Sequence, residues 1–412
     1  MRYAGYQYLG HGSGNAVGRE GRHGRGRVAF ALASLAVAVL GVALLLWALR
    51  ADRAWWEQHV FVLDCATGPR DVASVLVGRG VAAVAGVGLI AVARPRWARW
   101  LAASPRRAAA SATRVALAAA LALLVSEVVL RWTAKPADSP PKDVPALRTD
   151  AHLSYALAPK TSGHVLRGGR DIAFAVNAMG LRTATESELP DLSRPSILIA
   201  GESIAQGYAV PYDESVGFLV EQATGVPTLN AAVVAYASDQ VYRRMQEVLP
   251  ELEHPIAVVT FVVPVQIERN VSFRREHLVV LEDGSLAVAA PAPALLRDMQ
   301  LVRLLGGLLP HDDSAVRIAR AIYAATAREV RARGAYPLFV ATNYREACLH
   351  DESGESSLSA RLFRGLDVPH VSVDLDTAWD VPEDGHPDVR GSRALAAAIV
   401  DALREARVLP AR

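Results

Sequence analysis

Apolar and polar positions follow two different rhythms along this chain, and the change falls near residue 150. Residues 28–49 run without a single charge. At about 1.5 Å per helical residue, such a run spans a hydrocarbon layer of about 30 Å. A second apolar run over 72–93 is interrupted only by Arg79, and a third over 115–132 carries Glu127 and Arg131 one helical turn apart. An arginine near one end of a span reaches the headgroups along its own stem, and an i, i+4 ion pair satisfies itself near the interface. Beyond residue 150 the pattern shortens. Strand-like runs at 171–176, 196–200, 228–233, 256–263, 336–341 and 370–374 take turns with helical periodicities at 216–222, 240–249, 314–333 and 392–406. Strands and helices in alternation predict an α/β fold: a three-layer sandwich with a parallel sheet of about five strands, preceded by an all-α transmembrane region. Residues 270–310 break the alternation and read as an insertion.

Composition and charge refine this division. Residues 1–27 are rich in glycine and arginine and read as a disordered basic leader. The three spans then occupy 28–133, and a proline-rich linker over 134–149 lifts a domain at 150–412 off the bilayer. Arginines crowd the leader and the loop before the third span (Arg94, Arg96, Arg99, Arg106, Arg107, Arg114). In the loop between the first two spans, Asp52, Glu57, Asp64 and Asp71 offset the arginines. The excess of positive charge on cytoplasmic loops orients the bundle, and three spans leave the carboxyl-terminal domain on the outer face, periplasmic or extracellular. The whole chain has a formal net charge of +2, which gives no electrostatic case for nucleic acid. Its two cysteines, Cys65 and Cys348, form neither a redox nor a metal motif.

Chemistry concentrates in two places. The run Ser196-Ile197-Leu198-Ile199-Ala200 ends in Gly201-Glu202-Ser203, which reads as a buried strand delivering a serine to the carboxyl edge of a sheet. Far downstream, Pro382-Glu383-Asp384-Gly385-His386-Pro387 places a carboxylate and a histidine two positions apart, just ahead of the last helix. Serine, histidine and carboxylate are the parts of an activated hydroxyl nucleophile, with Ser203 attacking, His386 moving its proton and Asp384 orienting the imidazole. The bland alternatives are a turn-forming serine, a structural histidine and a capping aspartate. The nucleophile elbow Gly-x-Ser-x-Gly of α/β-hydrolases does not fit, because Gly201-Glu202-Ser203-Ile204-Ala205 ends in alanine and the serine follows an early strand.

These two blocks resemble those of the SGNH (GDSL-type) hydrolases, in a membrane-anchored form with degenerate middle blocks. Gly201-Glu202-Ser203 is similar to the first block, with Glu in place of Asp, and Asp384-Gly385-His386-Pro387 to the last. Asn230-Ala231-Ala232-Val233-Val234-Ala235-Tyr236 resembles the second block, with Ala235 where the family has the glycine whose amide joins the oxyanion hole. The third block falls near Val265-Gln266, without the family's asparagine. Asn177-Ala178-Met179-Gly180-Leu181-Arg182 resembles a segment that precedes the first block in membrane-anchored members. The resemblance implies an SGNH or flavodoxin-like sheet and an oxyanion hole built from the amides of Ser203 and Ala235, with Gln266 as a candidate substitute for the asparagine. It leaves open whether Glu383 or Asp384 orients His386, with Asp384 preferred. No metal and no cofactor is implied. The expected activity is cleavage of ester bonds in a lipid or glycan substrate. Two alternatives stand beside it: O-acyl transfer to an envelope polysaccharide, and a catalytically weakened domain that binds carbohydrate or a partner protein.

Overall fold

In the computed structural model, the described residues are 35, 37–50, 69–93, 124, 127–128, 144, 146–271, 275–293, 299, 312–342, 357–382 and 384–409, of which some, among them 69–75, 92–93 and 312–314, are described in their backbone alone. The chain divides into two compact units, one drawn from residues 1–56 and 66–129, the other chiefly from 130–412. The expected leader, most of the third span and Glu383 lie outside the described residues, as does much of the expected linker.

In the amino-terminal unit, residues 37–50 are helical, and a second helix covers Pro69–Gly88, continued by a π-helical turn over Leu89–Ala93. The two pack antiparallel through their smallest residues. A Cβ added at Gly41 would meet Gly86 O at 3.0 Å, and one added at Gly86 would meet Gly41 O at 2.7 Å. Seven residues further along, Arg79 Nε donates to Ala48 O at 2.8 Å. Large aliphatics, among them Leu40, Leu46, Leu49, Leu76, Val81 and Val84, point away from this contact and are exposed. Among the described residues no helix is long and apolar enough to cross a membrane. The expected transmembrane region is therefore not supported among these residues: the segment expected as a span over 72–93 is helical, but its helix also carries Arg70 and Asp71 in its first turn.

The carboxyl-terminal unit is built on a mixed sheet of eight strands. Strands β1 (Leu147–Asp150) and β2 (Ser154–Leu157) form a separate hairpin. The main sheet comprises β3 (Thr161–Arg167), β4 (Arg170–Val176), β5 (Arg182–Thr183), β6 (Ser196–Ala200), β7 (Thr228–Asn230), β8 (Pro255–Val262), β11 (Tyr336–Thr342) and β12 (His370–Val373). A second small hairpin, β9 (His277–Val280) with β10 (Leu286–Ala289), occupies the expected insertion. The main order is β12-β11-β8-β6-β7-β5-β4-β3. Its first five strands are parallel neighbours, as the alternation predicts. The last three form an antiparallel wing that the sequence reading reduced to one short strand. The sheet is thus mixed rather than wholly parallel. The linker expected to run to residue 149 also ends earlier, since Val144 and Ala146 are buried in the domain core.

The helices are α1 (Ser203–Gln206), α2 (Val216–Thr224), α3 (Ser238–Val248), α4 (Pro264–Glu268), α5 (Asp312–Ala332), α6 (Ser357–Phe363) and α7 (Val389–Glu405). Strand β6 shows why the layers form. All five of its residues are buried, with Leu198 and Ala200 in one core and Ile197 and Ile199 in the other. A strand apolar on both faces has to be covered on both. Val241, Met245 and Val248 of α3 cover one face, joined by α5 and α6 beside β11. Val216 and Val220 of α2, with Leu395, Ile399 and Leu403 of α7, cover the other. The carboxyl end of β6 therefore opens at the middle of the sheet, where the side chains around it are held from both sides.

Candidate active site

Gly201 ends β6 because nothing larger fits. A Cβ there would lie 2.5 Å from Ala205 Cβ and 2.9 Å from Phe261 Cβ, so α1 could not sit so close to β8. The Glu202 side chain caps α1, accepting from Ile204 N at 3.0 Å, and Ser203 becomes its first helical residue. Ser203 is nearly buried. Two groups meet its hydroxyl: the other carboxylate oxygen of Glu202, and His386 Nε2 at 2.8 Å.

His386 arrives on a tight loop. Val381 N donates to His386 O at 2.7 Å, and Gly385 N donates to Val381 O at 2.9 Å. Gly385 has a φ of 81°, a left-handed conformation that favours glycine. That turn folds Asp384 back onto its neighbour, so that His386 Nδ1 meets Asp384 Oδ1 at 2.6 Å and His386 N donates to the same oxygen at 3.2 Å. Just beyond, the Asp388 side chain caps α7 by accepting from Arg390 N at 2.8 Å, and Asp388 N donates to Trp379 O. Ser203, His386 and Asp384 thus form one unbroken chain of hydrogen-bond contacts across 183 positions of sequence.

The antiparallel wing supports this chain. At the end of β3, Arg167 Nε lies 3.2 Å from Asp384 Oδ2, with both side chains largely buried. Its guanidinium sits 4.3 Å from the Tyr208 ring centroid and donates to the Tyr208 hydroxyl. Tyr208 in turn packs on His386, with ring centroids 5.0 Å apart. Burial by itself would raise the pKa of Asp384. The hydrogen bonds and charge of His386, together with the Arg167 guanidinium, outweigh burial and hold the carboxyl below its ordinary value.

The seam between wing and parallel sheet lies directly beneath α1. There Arg182 of β5 pairs with Asn230 of β7. Asn230 Nδ2 donates to Ala205 O at 2.9 Å, and Arg182 donates to the carbonyls of Gln206, Gly207 and Val210. Arg182 is fully buried, with the Phe174 ring centroid 4.8 Å away. Burial lowers its pKa to about 10, partly opposed by Tyr212, so it remains a cation at neutral pH. Three carbonyl dipoles and an aromatic face stand in for the water it has lost.

Ala235 occupies a turn tied to the nucleophile strand, in which Val233 N donates to Gly201 O at 3.1 Å. Its φ is 61°, so an alanine holds the left-handed conformation that a glycine would adopt without strain. A cross-brace fixes the turn: Tyr155 OH donates to Val234 O at 3.0 Å and Tyr236 OH donates to Tyr155 O at 2.6 Å. Among the described residues, the backbone N–H groups of Ser203 and Ala235 donate to no protein acceptor. Gln266 is placed elsewhere. Its Oε1 accepts from Val263 N at 3.3 Å, and its side chain lines an internal packing gap with Ala200, Phe261 and Tyr323 that is too narrow for water.

Sequence reasoning passed over Arg167, Tyr208 and Tyr155, and treated Arg182 only as part of a motif. A signal for the first was present. Gly168-Gly169 separates two strand-length runs, a two-residue hairpin turn whose glycines have φ of 51° and 75°. Among the described residues no group of three His, Cys, Asp or Glu side chains is placed to hold a metal ion.

No family model matches the chain, and none of the curated proteins gives a significant match. Solved structures similar to it include an acetyl xylan esterase from the rumen bacterium Butyrivibrio proteoclasticus, 12% identical over 54% of this chain and 66% of that one, with a TM-score of 0.30. Another is a family two carbohydrate esterase from Clostridium thermocellum in complex with cellohexaose, 12% identical over 54% and 67%, TM-score 0.32. A third is a member of the lipolytic protein G-D-S-L family from Veillonella parvula DSM 2008, 10% identical over 50% and 96%, TM-score 0.29. At such identities and TM-scores similarity assigns no activity, and the chemistry rests on the contacts just described.

Proposed function

We propose that this chain is a serine esterase or deacylase that cleaves carboxylic ester bonds of lipid or glycan substrates. One observation carries the reading: the Ser203 hydroxyl lies against His386 Nε2 while His386 Nδ1 lies against Asp384. Ser203 Oγ attacks the ester carbonyl carbon as its proton passes to His386 Nε2. The tetrahedral oxyanion takes hydrogen bonds from the amides of Ser203 and Ala235, whose donors have no other protein acceptor among the described residues. Collapse expels the alcohol, which leaves with the proton from His386. A water molecule, activated by the same imidazole, then releases the acid from the acyl-serine. Asp384, kept ionised by His386 and Arg167, holds the imidazole with Nδ1 protonated and stabilises the imidazolium.

The domain works tethered to a membrane, facing outward. The charge-free run over 28–49 supports the tether, as does the arginine excess of the leader and second loop. The helix pair adds to it: glycines at the contact with large aliphatics turned outward is how helices pack where lipid, not water, surrounds them.

Treating the full chain with a fluorophosphonate probe tests the chemistry. Labelling is expected to vanish in Ser203→Ala and to fall by about 10²–10⁴ in His386→Ala, the usual worth of a general base. A folded wild-type chain that takes no label would sink the proposal. For the orientation, a reporter that is active only in the cytoplasm, fused after Arg412, is expected to stay silent.

A further inference from the structure

The Ser203 hydroxyl has one proton and two acceptors competing for it. His386 Nε2 lies 2.8 Å from Oγ, and the Glu202 carboxylate lies against Oγ from the other side. With Nδ1–H committed to Asp384, a neutral imidazole presents a bare Nε2 that needs the serine proton. An ionised Glu202 needs the same proton, because a carboxylate can only accept. Both contacts are satisfied together in just two ways. Either Glu202 is protonated and donates to Oγ while Ser203 donates to His386, or Ser203 donates to Glu202 while a doubly protonated imidazole donates to Oγ. The two arrangements carry the same net charge and differ only in where a single proton sits. Only the first leaves His386 able to act as a base.

We propose that Glu202 is a positioning residue that sets the direction of the Ser203 hydroxyl, its ionised form capturing the nucleophile's proton and holding the site at rest. The inference rests on the serine-nucleophile reading above. Glu202 suits this role through its length. One carboxylate oxygen is tied to Ile204 N at 3.0 Å as the helix cap, which turns the other onto Oγ. It is also only 3% exposed, so water offers the carboxylate little alternative. The remaining charged and titratable groups facing the pair among the described residues are Asp384, Arg167 beside it, and Tyr208 against the imidazole. Each of these acts on the His386 side, so Glu202 is the group that acts on Oγ directly.

Glu202→Gln tests this cleanly, because the cap dictates how the amide must sit. Its oxygen keeps the bond from Ile204 N, which leaves the NH₂ to donate to Oγ, as protonated Glu202 would. The Ser203 hydroxyl then has only His386 to donate to. The expected result is fluorophosphonate labelling about tenfold faster at neutral pH than in the wild type, the factor a hydrogen bond to a charged group commands. The rising limb of labelling against pH should also begin at lower pH. Glu202→Asp, which keeps the cap but whose carboxylate falls short of Oγ, should move in the same direction and serves if the glutamine variant misfolds. Imidazole ¹⁵N signals supply a readout that needs no labelling: His386 Nε2 is expected to carry a proton more often in the wild type than in Glu202→Gln at the same pH. Superimposable pH profiles and unchanged ¹⁵N signals overturn the role of Glu202. Absence of label from every folded variant overturns the esterase reading instead, and the ¹⁵N comparison then decides the position of the proton by itself.

Discussion

The parallel half of the main sheet and its antiparallel wing contribute to the site in opposite ways. The short helix α1 that follows strand β6, and the loop before α7, supply the three groups of the contact chain, Ser203, His386 and Asp384. The wing supplies none of these, yet it supplies the residues that hold them: Arg167 against Asp384, and Arg182 beneath the turn after α1. The parallel strands are stabilised by apolar burial on both faces, with Ile197, Leu198 and Ile199 wholly out of solvent. The wing is joined to them at the single register pair Arg182 and Asn230, and both side chains of that pair donate to the backbone of the nucleophile turn. Burial thus builds the platform, and directional polar contacts aim what stands on it. The two halves should fail differently when damaged.

The largest effect is expected in the platform. Leu198→Ala removes a side chain with no exposed surface from the central strand and should lower unfolding free energy by about 3 kcal/mol, read by denaturant titration. A loss well under 1 kcal/mol would mean that the parallel core is not the stabilising half. A smaller effect, of a different kind, belongs to the wing. Arg167→Gln should slow labelling about tenfold, equivalent to about 1.4 kcal/mol of barrier, and should lower the denaturation midpoint as well, because it leaves the largely buried Asp384 without its cation. Its pH dependence follows from the sign of the Asp384 shift. A carboxyl held below its ordinary value contributes stability above that value and loses it as pH falls through the lowered one. Without the Arg167 cation Asp384 takes up its proton at higher pH, so labelling should fail earlier on acidification. An unmoved acid limb would reduce Arg167 to packing. The smallest effect lies at the turn between the halves. Ala235→Gly should relieve a left-handed alanine and raise stability by about 1 kcal/mol, leaving the labelling rate within a few-fold.

The contrast between the halves is also a contrast in legibility. Long β-branched runs such as Ile256 to Val262 announce buried strands by composition alone, and amphipathic periodicities located α5 and α7 to within a few residues. Strand β5 has two residues, Arg182 and Thr183, and no apolar run, so periodicity has nothing to detect. Strand β3 reads Thr-Ser-Gly-His-Val-Leu-Arg, a half-exposed sequence whose strand character depends on its pairing with β4. Edge strands of this kind take their structure from their neighbours.

The alternation of elements, the buried strand that stops before Gly201, and the residue types at Ser203, Asp384 and His386 are all legible in the order of amino acids alone. These follow from local chemistry: periodicity, the glycine after an apolar run, and a carboxylate two positions from an imidazole. The packed fold was needed to bring Arg167 against Asp384, Arg182 onto the turn after Ser203, and the second oxygen of Glu202 onto the serine hydroxyl. Each of these is a contact between a long, flexible polar side chain and a group whose position is set by the packing of other elements. A single sequence records that such a side chain exists, and the fold decides which partner lies within its reach.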